Sequence, residues 1–298
     1  MSHQSSNLQF SPLIIGTMRL GQWGAQMNTK AYESFIEQCL DIGISDFDHA
    51  DIYGSYTTEA EFGEVLRSRP ALRQKMQITT KCGIKLVSEN RPDYRLKSYD
   101  SSAKHIIQSA EQSLRNFQTD YIDLFLIHRP DFLMNPQEIA EAVDQLKQSG
   151  KIRYFGVSNF TPGQMKLLSK YVHIDNHQYE FSVTHLDPFN DDTINFCYES
   201  GIKSTAWSPL AAGALFKDNI KQEHHALKEL CISLCKKYNC SLDVLLIAWI
   251  RKHPSRITPI LGSTKILRIA SVLEGLETEI SKEDWYAIYQ ASTGQEIA

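Results

Sequence analysis

Eight short strand-like runs, most of them followed by a helical pattern, restrict the fold of this chain more than any other feature. They are Ile14 to Thr17, a strand opening at Asp46, Met76 to Thr80, Tyr121 to Ile127, Ile152 to Val157, Val172 to Gln178, Lys203 to Trp207 and Arg256 to Ile260. Tyr121 to Ile127 is nearly all apolar, as expected of a strand covered on both faces. Val172 to Gln178 is polar for a strand. The helices between them are written by apolar residues three and four apart. Phe35, Ile36, Cys39 and Leu40 mark Thr29 to Leu40, and a second short helix is expected over Glu59 to Arg67. Ala103, Ile106, Ile107, Ala110, Leu114 and Phe117 line another, and Ile139, Ala142, Val143 and Leu146 the next. Gly43, Gly150 and Gly201 follow helical patterns, and Thr161-Pro162 is a cap followed by a first-turn proline. Further helices are expected over Asp191 to Tyr198, around Leu227 to Leu234, around Leu242 to Ile250 and after Lys265. Trp285 to Tyr289 is expected to pack outside.

Strand and helix alternate through 298 residues with no linker, repeat or low-complexity break. The pattern predicts one domain, residues 1–298. The expected fold is α/β, an eight-stranded (β/α)8 TIM barrel with a short N-terminal hairpin built from Leu8 to Phe10 and Leu13 to Ile15. A doubly wound open sheet is the alternative, but neither GxGxxG nor GxxxxGK[ST] occurs.

A net charge of -4 provides no polybasic surface for nucleic acid or anionic lipid. No apolar run is long enough to span a membrane. The six cysteines form no CxxC pair, and Cys231 and Cys235 share a helix face without a second pair to complete a zinc set. Reduced thiols and a polar Met1 to Asn7 give the expectation of a cytoplasmic protein. No coiled-coil pattern is evident, so a monomer is the default.

In such a barrel the carboxyl ends of the strands converge on one site. Here they carry Asp48 and Tyr53, Lys81, His128, Ser158 and Asn159, Gln178, Trp207 and Ser208, and the Gly262-Ser263-Thr264 turn. Each alone has a plain structural reading: Asp48 capping a turn, Lys81 solvated, Thr264 capping a helix, Arg268 in solvent. Together they crowd one face with titratable and amide groups. A tyrosine titrates near pH ~10. An ammonium at ~4 Å would favour its phenolate by about 4 kcal/mol at an effective dielectric near 20, and burial would oppose this. The expectation is a Tyr53 made more acidic by Lys81, with Asp48 holding the lysine charged and His128 orienting an acceptor oxygen or moving a proton. No activated nucleophile accompanies this acid, so proton transfer coupled to a borrowed hydride fits better than hydrolysis. Ser263 and Thr264 at a helix start suit a phosphate, Arg268 a turn later suits a 2'-phosphate, and Trp207 offers a flat face for a nicotinamide ring.

Phe47-Asp48-His49-Ala50-Asp51-Ile52-Tyr53-Gly54, Thr80-Lys81, Leu126-Ile127-His128-Arg129-Pro130, Gly156-Val157-Ser158-Asn159-Phe160 and Gly262-Ser263-Thr264 stand in one order along nearly the whole chain. In these blocks the chain resembles the aldo-keto reductases, in particular the bacterial oxidoreductase branch related to potassium-channel beta subunits. The resemblance implies reduction of a small aldehyde or ketone by NADPH, without a metal. It implies Tyr53 as general acid, Lys81 and Asp48 tuning it, and His128 orienting the carbonyl. Ser158, Asn159 and Gln178 would hold the carboxamide, Trp207 would stack on the ring, and the loop from Ser208 to Leu210 would pass the pyrophosphate. Ser263 and Arg268 would hold the 2'-phosphate. The chain departs from the common pattern in having Trp207 for a frequent tyrosine, Gly262 where a lysine often stands, and Ser271-Val272 for an acidic-Asn pair that reads adenine. Two other readings stand beside this one. A metal-dependent barrel hydrolase could draw on His49, Asp51, His128, His177 and His185, but no HxH or HExxH spacing occurs. A cofactor-binding regulatory protein with low turnover would keep the same residues. Trp23 and the segment Lys85 to Tyr99 are expected to line the substrate pocket.

Overall fold

The computed structural model describes residues 6–297. Its strands are β1 (Ile14–Gly16), β2 (Asp46–Asp48), β3 (Gln77–Cys82), β4 (Ile84–Lys85), β5 (Ser98–Tyr99), β6 (Ile122–Ile127), β7 (Ile152–Ser158), β8 (Asn176–Glu180), β9 (Lys203–Trp207) and β10 (Thr258–Leu261). Eight of them close a parallel barrel in the order β1-β10-β9-β8-β7-β6-β3-β2, and β4 and β5 form a separate two-stranded sheet. The expected eightfold barrel is what forms, not an open sheet. The helices are α1 (Thr29–Asp41), α2 (Thr58–Ser68), α3 (Ala103–Phe117), α4 (Pro136–Gln148), α5 (Pro162–Leu168), α6 (Asp187–Asn190), α7 (Thr193–Ser200), α8 (His225–Tyr238), α9 (Leu242–Arg251), α10 (Ile266–Glu274) and α11 (Lys282–Thr293).

Local chemistry sets the helix starts. Asn28, Ser102 and Asn135 accept from the first-turn amides of α1, α3 and α4. Thr161 and Gln164 form a full capping box on α5. Each satisfies donors that the helix leaves orphaned. On β6, Phe125 and Ile127 join the layer of side chains between strands and helices, while Leu124 and Leu126 form a separate cluster with Leu8. This is the two-faced burial that a nearly all-apolar strand requires. Trp285 of α11 stacks on Trp249 of α9 at 5.0 Å, and each indole donates to the other's carbonyl.

The N-terminal hairpin does not form. Residues 6–13 contain no strand. Instead Leu8 and Phe10 pack against Leu124, Leu126 and Tyr154 at the barrel's base. Side chains, not a ladder, secure the segment: Ser11 donates through its amide and hydroxyl to Asp46, at 2.7 and 2.6 Å. Two apolar residues gain more from closing the base than from pairing in an isolated ribbon. The polar sixth barrel strand exists but lies at Asn176–Glu180, later than its expected range. The base carries a buried ion pair, Arg73 to Asp123 at 2.7 Å, between the turn before β3 and the start of β6.

Candidate active site

The site is built on a buried ammonium. Lys81 is 0% exposed near the end of β3. Its Nζ donates to both oxygens of Asp48 at 2.8 Å and to the carbonyl of His49 at 2.6 Å. Gln178 Nε2 donates to the same carboxylate at 2.8 Å. Such a charge tolerates burial only when paired and bonded in this way. Tyr53 comes from the turn after β2, and its hydroxyl lies 3.5 Å from Lys81 Nζ. The carbonyl of Tyr53 accepts the amides of Tyr56, Thr57 and Thr58. Gly54 makes this turn possible, with φ +58 and no room for a Cβ, which would stand 2.5 Å from Thr58 Oγ1.

The electrostatics depart from expectation in one respect. Burial pushes the Tyr53 phenol up, Lys81 pulls it down, Asp48 pushes it up, and the net direction is upward. Desolvation outweighs the ammonium, so Tyr53 is a protonated donor at neutral pH. Burial pulls Lys81 down, but Asp48 and then Tyr53 reverse this and hold it above the usual lysine range. His128 is driven well below the usual imidazole range by burial, then by Lys81, Arg129 and Lys97. It is therefore neutral, its ring centroid is 6.1 Å from that of Tyr53, and its Nδ1 is buried without a partner among the described residues.

A shelf of amides and one indole adjoins these groups. Asn159 takes the left-handed conformation, φ 59. Its Nδ2 donates to Ser158 Oγ at 2.7 Å and to the carbonyl of His128 at 3.2 Å, and its Oδ1 accepts from Trp207 Nε1 at 3.0 Å. Trp207 is thus fixed in position. Beyond β9 the chain turns through left-handed Ser208, Ala211, Ala212 and Gly213. Leu210 lies within this turn and lines the cavity. The turn after β10 carries Gly262, Ser263 and Thr264 into α10. Space is open above Gly262, and Ser263 Oγ accepts from Lys265 N at 3.2 Å. Arg268 donates through Nε to Asp243 at 2.9 Å and lies 4.6 Å over Phe216.

One cavity of ≈ 510 Å³ joins these parts. Asp48, Tyr53, His128, Ser158, Asn159, Gln178, Trp207, Ser208, Leu210, Gly262, Ser263 and Arg268 all line it. Lys81 lies beneath its floor, and Thr264 is not on its wall. Trp23, Lys97 and Tyr99 line it too, as do Met18, Arg19 and Arg129, which sequence reasoning did not assign. Arg129 had a signal, since it follows His128 directly at a strand end. Met18 and Arg19 had none. His49 faces away from the cavity: it bonds Thr17 Oγ1 at 2.9 Å and packs on Phe62 and Phe117. Among the described residues no group of three or more His, Cys, Asp or Glu side chains is placed to hold a metal.

The closed parallel barrel thus gathers a phenol, an ammonium, a carboxylate and a neutral imidazole at its strand ends. The chain belongs to the aldo/keto reductase family, whose model matches residues 12–293. It is 43% identical over 295 residues to the uncharacterized oxidoreductase YcsN of Bacillus subtilis (strain 168), covering 98% of each protein. It is 39% identical over 292 residues to oxidoreductase YdhF of Escherichia coli (strain K12), covering 97% of this chain and 96% of that one. It is 36% identical over 296 residues to a 6-dehydroglucose reductase of Agrobacterium fabrum, covering 99% and 98%. Its fold matches the crystal structure of the thermostable aldo-keto reductase Tm1743 with a TM-score of 0.80 at 21% identity, over 96% of this chain and 97% of that one.

Proposed function

We propose that this chain reduces an aldehyde or ketone to an alcohol with NADPH, and that Tyr53 is the general acid. The observation that carries the reading is the Tyr53 hydroxyl 3.5 Å from the fully buried Lys81 ammonium at the cavity floor. The donor set suits a nicotinamide dinucleotide phosphate. The Oε1 of Gln178 accepts no bond among the described residues and can take a carboxamide N–H. Trp207 is held by Asn159 for stacking, the turn at Gly262 is open, and the terminal nitrogens of Arg268 are not engaged by Asp243. These fits support Ser158, Asn159, Gln178, Trp207, Ser208, Leu210, Gly262, Ser263 and Arg268 as the binding groups. Thr264 is a weaker candidate, being off the cavity wall.

When bound, NADPH supplies the hydride for the carbonyl carbon. Tyr53 gives its proton to the carbonyl oxygen as negative charge builds there. Lys81 then faces a forming phenolate at 3.5 Å, an attraction of ~5 kcal/mol at an effective dielectric near 20. This matters in the transition state, where a phenol that is hard to ionise at rest becomes an acid. Asp48 keeps Lys81 in place. Neutral His128 can donate one hydrogen bond to the carbonyl without taking its proton. The reading includes action as a cytoplasmic monomer, in keeping with six unpaired thiols.

Tyr53→Phe is expected to lower kcat on a reactive aldehyde by ~10²–10⁴-fold, with NADPH affinity by fluorescence titration changed only slightly. Unchanged turnover would sink the role. The regulatory alternative gains only if the native protein binds NADPH yet reduces none of a panel of aldehydes, quinones and keto compounds.

A further inference from the structure

The cavity carries positive charge that the hydride-transfer floor does not use. The chain has a formal net charge of -4. Yet Arg19, Lys97, Arg129 and Arg268 line the cavity, and among the described residues Asp48 is the one carboxylate that does. Asp48 is already held by Lys81 and Gln178, and Arg268 by Asp243. Arg129 and Lys97 form no ion pair and no side-chain hydrogen bond among the described residues. The guanidinium of Arg129 lies 5.7 Å from the Trp207 ring.

Strand order separates these cations into two groups. β10 and β6 stand four places apart in a ring of eight, on opposite sides of the barrel. Arg268 follows β10, whereas Arg129 follows β6 directly and Lys97 precedes β5. A dinucleotide running from the β10 turn to Trp207 leaves Arg129 and Lys97 beyond its ring, beside Tyr53 and His128. That they stand close is evident from His128, whose neutrality both reinforce. A cavity lined by one sign of charge concentrates ions of the other.

We propose that Arg129, with Lys97, is an anion subsite for the substrate, so that the carbonyl compound reduced here carries a carboxylate or phosphate group. This rests on the carbonyl-reductase reading above. The planar fork of a guanidinium matches either oxyacid bidentately, and the lysine adds a mobile point charge.

The test compares matched aldehydes with the full chain and NADPH. One pair is 4-carboxybenzaldehyde and methyl 4-formylbenzoate. The other is glyceraldehyde 3-phosphate and glyceraldehyde. In at least one pair the anion is expected to have a kcat/KM ~10-fold or more above its neutral partner, the scale of one charge-assisted hydrogen bond, and the ratio should shrink with added salt. The ester is the more electrophilic benzaldehyde, so intrinsic reactivity works against this result. Which pair responds identifies the oxyacid. Arg129→Met should collapse the ratio, and Arg129→Lys should restore part of it. Should Arg129→Met not fold, Arg129→Gln and the native salt dependence decide. Ratios near one in both pairs, a preference for the neutral members, or a preference that survives loss of Arg129 would each overturn the subsite. Reduction of no aldehyde at all would overturn the reductase reading itself, and with it the subsite.

Discussion

Among the described residues two ion pairs are buried on both sides in the wall of this barrel, and their partners differ in kind. At the base, Arg73 and Asp123 are tied into backbone. Arg73 donates to the carbonyls of Met76 and Tyr121 and to Thr119 Oγ1, while Asp123 accepts the amide of Ile78 and a second guanidinium, Arg153. At the mouth, the Asp48 carboxylate binds side chains among the described residues, Lys81 and Gln178, and Lys81 has two further neighbours, the carbonyl of His49 and the hydroxyl of Tyr53, which faces the cavity. The base pair is saturated by groups that define where β3 and β6 begin. The mouth pair holds charge beside a group that can lose a proton. Burial alone therefore does not mark a functional ion pair; the nature of the remaining partners does.

Exchanging the expected losses would break that distinction. Arg73→Met takes the buried guanidinium from Asp123, leaving it Arg153 and the amide of Ile78, and removes the side-chain donor to the carbonyls of Met76 and Tyr121; it should lower the unfolding free energy by about 3–5 kcal/mol, read by urea denaturation, with kcat of the folded fraction unaltered. Lys81→Met removes the group proposed to stabilise a forming phenolate, and kcat should fall by ~10²–10⁴-fold even where the variant remains folded. A loss of kcat in the folded Arg73 variant, or full activity in the Lys81 variant, would erase the contrast.

Periodicity and strand-end chemistry made much of this legible. All eight barrel strands, the capping of α5 and the converging set of Asp48, Tyr53, Lys81 and His128 follow from local pattern. What escaped depends on distant contacts. The side-chain partners of Arg73 include Thr119 and Asp123, up to fifty residues away. The apolar run around Leu8 reads as strand because strand and plug share a composition, and only the open base decides between them. The direction of the Tyr53 shift escaped for a similar reason: Lys81 was legible, but the depth of burial opposing it was not. Met18 and Arg19 reach the cavity through a loop whose path no periodicity encodes, whereas Lys97 falls within the segment expected to line it.

A buried histidine provides a smaller contrast with the mouth. His177 lies on β8 away from the cavity, and burial alone pulls its imidazole down to about 3. His128 is neutral partly because cations face it. Between pH 6.5 and about 3 the unfolded chain binds a proton at residue 177 that the folded chain refuses. The associated stability is complete above 6.5 and is lost as pH falls through this window. The loss is at most ~5 kcal/mol at 1.36 kcal/mol per unit. Asp46, pushed up to about 6 chiefly by burial, works in the opposite sense, since its protonation favours the fold. His177→Gln carries an oxygen at the ε position, where Nε2 now accepts from the amide of Phe160. The stability difference between native protein and variant should therefore decline steadily on acidification. A difference independent of pH would remove burial as the cause.

Another ion pair, Arg268 with Asp243, lies on the rim, and its side chains are 42% and 10% exposed. Pairs this open contribute about 0.2–1 kcal/mol, so this one can orient a guanidinium but hardly anchor the fold. Asp243→Asn should then raise the NADPH dissociation constant by no more than ~5-fold, the upper end of that range. Arg268→Met, which removes the charge proposed to meet the 2'-phosphate, should raise it ~10–100-fold, as for a hydrogen bond between charged groups. NADH, lacking that phosphate, should respond to neither change. Titration of both cofactors against both variants separates the two contributions. If NADH and NADPH weaken together in Arg268→Met, the arginine supports the turn after β10 and does not read the phosphate. The rim pair would then belong with the base pair as a structural contact, and the mouth alone would remain as the functional one.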